Sequence, residues 1–517
     1  IDLFVKLKVA KIILKTIKDL SKWKKDLNKD INFVPTMGNL HKGHQELIKS
    51  ANTTSYGLTL VSIFVNPLQF DDKEDFQNYP KTTLKDHAIA FDSGADVLFL
   101  PNEKDLFQKD YKELKFIRAS KELNSTLCGS NRIGHFDGVC KVVYRLLEII
   151  KPRFLFLGEK DWQQLLIIKN MIKEMKLNVQ IKSIPTQRDN DGIPFSSRNN
   201  LLQKKDKEKL IFFSKKLHEA KAKFLQEKVI DMDYLIKELT KKNISIEYLK
   251  LVDAFSLQEK THSKGISMLA GAIKCGHTRL IDHVFLMGNK PIIAIDGPAG
   301  SGKSTVTKLL ARKLKLLYLD TGAMYRALSW FLINQNVDLS KNDDLKKNLS
   351  EISIIFKSDK NSTQDVFIND ICVTTEIRSQ KISSIVSKIA AINEVREFLV
   401  NEQKKIGNKG GIVAEGRDIG STVFPKAELK IYLTASINER AKRRQLELER
   451  SSNEKISFSD IKEQIKSRDK NDMNRSLSPL IKAKDAILIE SDGLSVSQIV
   501  EKIIKIYDER IPKEIQL

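Results

Sequence analysis

Pro291-Ile-Ile-Ala-Ile-Asp-Gly-Pro-Ala-Gly-Ser-Gly-Lys-Ser-Thr305 passes from an apolar run into glycines and ends on Lys-Ser-Thr. The order is that of a strand, a phosphate loop and a helix start. Gly297, Gly302, Lys303 and Ser304 satisfy GxxxxGK[ST], with Gly300 inside the motif and Thr305 directly after it. Small residues let backbone N–H groups wrap a polyphosphate, the lysine neutralises it, and the serine hydroxyl reaches a nucleotide-bound Mg²⁺. A following helix adds its N-terminal dipole. The amphipathic Val306-Thr-Lys-Leu-Leu-Ala-Arg-Lys-Leu314 supplies that helix, which a ligand-free glycine turn would not need. The motif belongs on the first strand of its domain, so the 290 residues before Pro291 form something else.

A chain of 517 residues is long enough for roughly two to four domains, each with its own core. Lys plus Arg number 88 against 66 Asp plus Glu, a net charge of +22. The lysines are spread, Ile and Asn are abundant throughout, and no block of five or six like charges marks a nucleic-acid tail. The basicity is compositional, and no nucleic-acid partner is expected. Cys128, Cys140, Cys275 and Cys372 form no CxxC or other metal spacing, which suits a reducing cytoplasm. No apolar run approaches the roughly 20 residues of a membrane span. Ile1 to Leu20 alternates lysines with aliphatics at helical spacing and reads as an amphipathic helix packed on its own domain.

Before the phosphate loop, β-rich apolar runs recur at Ile31–Val34, Leu58–Val65, Val97–Leu100, Phe154–Leu157 and Val179–Ile184, with helical patterns between them. That alternation predicts a parallel sheet with crossover helices, an α/β layer whose ligand lies at the carboxyl ends of the strands. At the end of the first run stands Pro35-Thr-Met-Gly-Asn-Leu-His-Lys-Gly-His44, followed by a helical pattern. His41 and His44, three apart, face one way at the mouth of that helix. A zinc pair lacks a nearby carboxylate or thiol to complete its ligands, and purely structural histidines are the plain alternative. The favoured reading sets both imidazoles and the helix N-terminus around a triphosphate, where N–H donors stabilise departing pyrophosphate.

His-Lys-Gly-His is similar to the HxGH signature of the nucleotidylyltransferase superfamily. Ser62-Ile-Phe-Val-Asn-Pro-Leu-Gln-Phe70, Gly134-His-Phe-Asp-Gly-Val139, Gly158-Glu-Lys-Asp-Trp-Gln-Gln164 and Ser196-Ser-Arg-Asn199 follow in order. Together they resemble the pantothenate synthetase (pantoate–β-alanine ligase) family over about residues 30 to 287. The resemblance implies a Rossmann-like nucleotide-binding part at about 30–185 and a small α+β lid at about 186–287, within a domain spanning 1–287. It implies that the pantoate carboxylate attacks the α-phosphate of ATP and that β-alanine then displaces AMP from the acyl adenylate. Met37, His41, His44, Gly158, Lys160, Asp161, Ser196, Ser197 and Arg198 are the implied ATP residues, with His44 and Lys160 catalytic. Asn66, Gln69 and Gln164 are neutral amides suited to a small polyhydroxy acid, and the resemblance assigns them to pantoate. Lys81 stands where the family usually has arginine, and Pro194 and Phe195 where smaller residues are common. A homodimer through this half is left open.

The second half, about 290 to 510, resembles bacterial cytidylate kinase, a P-loop nucleoside monophosphate kinase of α/β class. Besides the phosphate loop it carries Leu319-Asp-Thr-Gly-Ala-Met-Tyr-Arg326, Ile377-Arg378, Glu415-Gly-Arg-Asp418 and Arg468-Asp-Lys-Asn-Asp-Met-Asn-Arg475. Ile352–Phe356 and Asp365–Val373 read as an inserted hairpin. By resemblance, Thr321, Arg326, Ser387, Arg396, Arg417, Asp418, Asp472 and Arg475 hold CMP or dCMP. Gly297, Gly300, Gly302, Lys303, Ser304 and Thr305 hold ATP, with Lys303, Arg468 and Arg475 catalytic and Ser304 on Mg²⁺. Arg440, Arg443 and Arg444 fall on a helix the family uses as a lid, or form a solvated basic face. The second domain is drawn at 288–517. The alternative to two enzymes is a nucleotide-dependent regulatory module whose first half senses adenylate without turnover.

Overall fold

The computed structural model describes all residues except 1–10, 55–56, 72, 108–112, 262–264, 277, 340, 359–363, 452–456, 476 and 517. Contacts divide the chain into one unit of Ile1–Gly288 with Ile511–Leu517 and a second of Asn289–Arg510.

The first unit is built on a six-stranded sheet of β1 (Ile12–Leu14), β2 (Ile31–Thr36), β3 (Leu58–Ile63), β4 (Val97–Phe99), β5 (Phe154–Gly158) and β6 (Gln180–Ile184). Its order is β1-β4-β3-β2-β5-β6, with every pairing parallel. Strands covered on both faces read as near-continuous apolar runs, and Phe33, Val34, Leu60, Val61, Leu98 and Leu155 are fully buried. Strand order reverses between β2 and β5, which opens the crevice beyond their carboxyl ends. A second sheet, antiparallel, joins β7 (Ser245–Asp253), β8 (Ser267–Cys275) and β9 (Thr278–Leu286). The helices Lys204–Glu227 and Met232–Lys241 pack on it through Phe213, Leu217, Phe224 and Leu239.

The N-terminal expectation fails in part. Residues 1–10 lie outside the described residues, and Ile12–Leu14 form β1, paired with the edge of β4, rather than a helix. Three consecutive β-prone aliphatics satisfy that open edge. The helix begins at Ile17, where Thr16 and Asp19 make a reciprocal capping box.

In the second unit β10 (Ile292–Asp296), β11 (Leu317–Asp320), β15 (Ile412–Gly416), β16 (Leu429–Thr434) and β17 (Ile487–Glu490) make a parallel sheet in the order β11-β15-β10-β16-β17. The inserted region is three antiparallel strands, β12 (Ile354–Ser358), β13 (Gln364–Ile368) and β14 (Ile371–Cys372). The domain drawn from sequence runs to residue 517, whereas Ile511–Leu517 group with the first unit. The reason is a buried hydrogen-bond cluster at Glu159, described below.

Candidate active sites

In the first unit a cavity of about 260 Å³ is lined by all twelve residues singled out there: Met37, His41, His44, Asn66, Gln69, Gly158, Lys160, Asp161, Gln164, Ser196, Ser197 and Arg198. His41 directly precedes the helix Lys42–Thr54, and the ring centroids of His41 and His44 are 4.0 Å apart. Burial, with His44 and Lys160 nearby, pulls the pKa of His41 down to about 2. Burial also takes His44 to about 4, against the opposing pull of Asp161 and Asp86. Both rings are therefore neutral at pH 7. Gly43 N donates to His41 Nδ1 (3.2 Å) and His41 N donates to His44 Nδ1 (3.3 Å), so each ring carries its hydrogen on Nε2.

Asp86, 1% exposed, holds this loop: Oδ2 accepts from Asn39 N (2.9 Å) and Thr82 Oγ1 (3.0 Å), and Oδ1 from Leu40 N (2.8 Å). Asn39 in turn ties the loop to the Ser196–Arg198 segment, donating from Nδ2 to Ser197 O at 2.9 Å. Gln69 stands on a one-turn 3₁₀ helix, Pro67–Gln69, capped by Asn66 Oδ1. Asn66 Nδ2 donates to Gln69 Oε1 (3.0 Å) and to Gly138 O (3.1 Å). The helix His135–Ile150 presses against that turn so closely that a Cβ on Gly138 would meet Leu68 O at 2.1 Å. Arg132 and His135 grip the same turn through Gln69 O at 3.2 and 2.6 Å.

Lys160 lies 3.5 Å from Asp161. Burial raises the pKa of Asp161, but Lys160, by charge and hydrogen bond, and then Arg198 bring it below the usual carboxylate value. Arg188 reaches from the Ser196–Arg198 segment's approach to Asp282 on β9 as a bidentate pair at 2.8 and 2.9 Å, with Ser214 Oγ on the same carboxylate at 2.7 Å. That pair anchors the loop to the antiparallel sheet. Phe195 stacks toward His41, ring centroids 6.3 Å apart, while Lys81 sits 6.0 Å from the Phe76 ring and is not among the cavity-lining residues.

The second unit holds a cavity of about 790 Å³. Every kinase residue singled out from sequence for ATP, CMP or catalysis lines it except Gly297, which turns the loop under β16: its φ is +153° and a Cβ there would strike Leu433 O at 2.0 Å. Lys303, buried, folds back on its own loop and donates to Pro298 O at 2.7 Å. Burial, and then Arg417, depress its pKa. Arg396 pairs with Asp418 at 2.9 Å, both buried, and Arg417 with Asp472 at 2.8 Å. Arg326 pairs with Asp320 at 3.2 Å, and Thr321 Oγ1 donates to Glu415 O at 2.6 Å. Ser387 is exposed on the rim.

The three arginines of the helix Ile437–Ser451 separate. Arg440 is buried and donates to Asp469 (2.6 Å) and Ala299 O (3.2 Å), and Arg443 donates to Ser301 O (3.3 Å) and Ser491 O (2.9 Å). These two brace the phosphate loop, so the solvated-face reading fails for them. Arg444 pairs with Glu447 at 2.8 Å. Sequence reasoning assigned no role to Asp296 or Glu415. Asp296 ends β10 and accepts from Ile419 N (2.8 Å) and Gly420 N (2.7 Å), and burial raises its pKa to about 6. Glu415, one residue before the end of β15, accepts from Tyr318 OH, and its pKa is raised by burial and by Asp320. A charged residue closing an apolar strand run beside a phosphate loop was the available signal.

A family model described as pantoate-beta-alanine ligase matches residues 12–285, and one described as cytidylate kinase matches residues 293–509. A bifunctional pantoate ligase/cytidylate kinase of Prochlorococcus marinus subsp. pastoris is 61% identical over 98% of this chain and 99% of its own. The chain belongs to the bifunctional pantoate ligase/cytidylate kinases. It is a two-enzyme polypeptide, and the first unit's cavity lies within the matched ligase region and the second unit's within the matched kinase region. A further member of the bifunctional family from Prochlorococcus marinus is 47% identical over 97% of this chain and 98% of its own. The ligase half is also similar to a crystal structure of pantoate-beta-alanine ligase from Francisella tularensis, complexed with beta-gamma ATP and beta-alanine. That structure is 36% identical, with a TM-score of 0.46, over 53% of this chain and 97% of that one.

Proposed function

We propose that the first unit condenses pantoate with β-alanine through a pantoyl adenylate and that the second phosphorylates CMP or dCMP, both with ATP. What supports the ligase assignment of residues is convergence: twelve residues from four separated segments line one small cavity at the reversal of a parallel sheet. In the first step a pantoate carboxylate oxygen bonds to the α-phosphorus and the bond to pyrophosphate breaks. His41 and His44, neutral Nε2–H donors, and Lys160 meet the charge that develops on the leaving group. Asn66, Gln69 and Gln164 hold pantoate without adding charge. The β-alanine amine then attacks the acyl carbon, AMP leaves with the carboxylate oxygen, and the amine gives up a proton to solvent. No protein nucleophile takes part.

In the kinase cavity Lys303 and the phosphate-loop N–H groups hold ATP, Arg326, Arg396, Arg417 and Arg475 hold the CMP phosphate and sugar side, and Arg468 lies between them. Asp418 and Ser387 read the base. Mg²⁺ suits the donors present: the Ser304 hydroxyl with the carboxylates of Asp320 and Glu415, whose Oε2 is buried without a partner. When bound with the nucleotide, the ion neutralises phosphate charge. No described helix is long and apolar enough to cross a membrane; the proposal places the enzyme in the cytoplasm, with neither a membrane nor a nucleic acid as partner, and includes a dimer through the ligase unit.

The test is one purified chain assayed twice, for AMP that depends on both pantoate and β-alanine, and for CDP from CMP. Pantoate labelled with ¹⁸O in its carboxylate should deliver one label to AMP. Label found only in pyrophosphate or on the protein would overturn the adenylate route.

A further inference from the structure

Glu159 sits between Gly158 and Lys160, both on the ligase cavity, yet its own side chain is 0% exposed and turned away. Its carboxylate is fully engaged. Oε1 accepts from Ser183 Oγ at 2.8 Å and from Lys513 N at 2.7 Å, and Oε2 accepts from Glu514 N at 3.0 Å. Two of its three donors thus come from a segment 354 and 355 residues away. The segment answers in kind: Glu514 Oε1 accepts from Thr186 N at 3.0 Å, and Thr186 is a wall of the same cavity. Burial lowers the pKa of Lys221, and the Glu514 charge opposes that fall; the same carboxylate adds to the pull of Asp282 on Arg188. Ile511 is 1% exposed, and the short turn behind it closes on itself, Gln516 Nε2 donating to Ile511 O at 2.8 Å.

We propose that Ile511–Gln516, which follow the kinase's last helix in sequence, are a positioning element of the ligase site. They clip the strand end that carries Lys160 to the wall that carries Thr186. The kinase half is therefore needed by the ligase half, as the carrier of this segment. This rests on the reading of that cavity as the ligase site.

The physical case is one of unmet donors and acceptors. Remove the segment and a buried carboxylate loses two N–H donors, while Thr186 N loses its acceptor. A buried group left unsatisfied costs far more than the bond's net worth. The strand end relaxes to hydrate Glu159, and Lys160, the next residue, moves with it. Small displacements of a phosphate-binding lysine are felt in nucleotide affinity.

The experiment compares the full chain, the chain stopped after Arg510, Glu514→Ala and Glu514→Gln, each assayed for both activities at a temperature well below melting. Glutamine keeps an oxygen that can accept from Thr186 N; alanine does not. We expect Glu514→Ala to show a ligase KM for ATP raised about tenfold, the cost of one unmet buried hydrogen bond, and the stopped chain, which loses three such bonds, to show at least as large a rise. Glu514→Gln should restore most of it, the KM for CMP should not move in any variant, and a synthetic peptide of residues 511–517 should lower the raised KM of the stopped chain. Wild-type ligase KM and kcat in a folded stopped chain, even with a lowered Tm, would refute positioning and leave only a stability role. If the stopped chain aggregates, the Glu514 pair decides alone, and equal KM for ATP in Ala and Gln variants would overturn the proposal. Absence of ligase turnover in the full chain would instead sink the ligase reading itself.

Discussion

Gly138→Ala is the sharpest probe of how the ligase site is held. In an isolated helix this exchange would stabilise by about 1 kcal/mol, since alanine is the better helix former. Here the new Cβ meets Leu68 O at 2.1 Å, Leu68 C at 2.4 Å and Gln69 N at 2.8 Å, all backbone atoms of the turn that carries Gln69. Ordinary contact begins at 3.4 Å, so the turn must retreat by about 1 Å or more. That retreat also pulls Asn66 from Gly138 O, now at 3.1 Å. A 1 Å misplacement of a positioning group costs on the order of 100-fold, and we expect that loss in kcat/KM for pantoate. Initial rates of AMP formation against pantoate, at saturating ATP and β-alanine, read it directly. Kinase turnover on the same chain should stay at the wild-type value, and an unchanged ligase KM for ATP serves as the folding control for the first unit. A folded variant within about threefold of wild type for pantoate would show that the turn has slack and that Gln69 is not held where the reaction needs it.

Lys303→Ala should abolish CDP formation and leave AMP formation intact, because the lysine lies in the second unit's loop; equal loss of both activities in a folded variant would contradict separate sites. Asp418→Asn should shrink the preference for CMP over UMP, since a site built to accept from the cytosine amine discriminates strongly, while Arg326→Ala should weaken both substrates alike; an unchanged CMP:UMP ratio of kcat/KM in the Asp418 variant would move base recognition elsewhere. Asparagine is chosen over alanine there because stripping Arg396 of its buried partner costs about 3–5 kcal/mol on its own. The ligase unit should lose stability as pH falls from 6.5 toward 4: the unfolded histidines bind protons in that range and the native His41 and His44, held near 2 and 4, do not. Urea unfolding from pH 7 to 5 should show that slope, and His44→Asn should flatten it; an identical slope in the variant would refute the neutral assignment.

What could be read in the sequence, and what could not, follows sequence separation. The phosphate loop, His41 and His44, Lys160 with Asp161, and Ser196 to Arg198 each declare themselves within a few neighbours, because backbone shape and chemistry are specified locally. The groups that hold them do not. Asp86 grips Leu40 from 46 residues away, His135 grips Gln69 from 66, Asp296 accepts from Ile419 across 123, and Glu159 accepts from Glu514 across 355. For Asp86, His135 and Glu159 no neighbouring residue announces the distant partner, and only Asp296, closing an apolar run beside the phosphate loop, carried a local signal. Strand β1 failed for a similar reason: Ile12–Leu14 suits either an amphipathic helix or a strand, and only the open edge of β4 decides.

On the proposed reading the two sites handle polyphosphate by different electrostatics, and the difference follows from what each reaction brings to its site. The kinase cavity is lined by eight Lys and Arg side chains. The ligase cavity has two, Lys160 and Arg198, beside two neutral histidines. A nucleotide monophosphate approaching ATP sets a second phosphate against a triphosphate in a partly dehydrated cleft, where repulsion is weakly screened. Many fixed cations are needed, and Asp320, Asp418 and Asp472 hold three of them, Arg326, Arg396 and Arg417, in place before substrate enters. Pantoate brings one carboxylate charge and must reach the α-phosphate as a nucleophile, so a wealth of cations would hold that carboxylate in unreactive ion pairs. Neutral Nε2–H donors stabilise charge on the departing pyrophosphate without competing for the acid. Replacing either histidine with a permanent cation would therefore be expected to tighten ATP and slow adenylation. His44→Arg, read as a lower KM for ATP with a lower kcat for adenylate formation, tests that trade, and a faster first step in that variant would refute it.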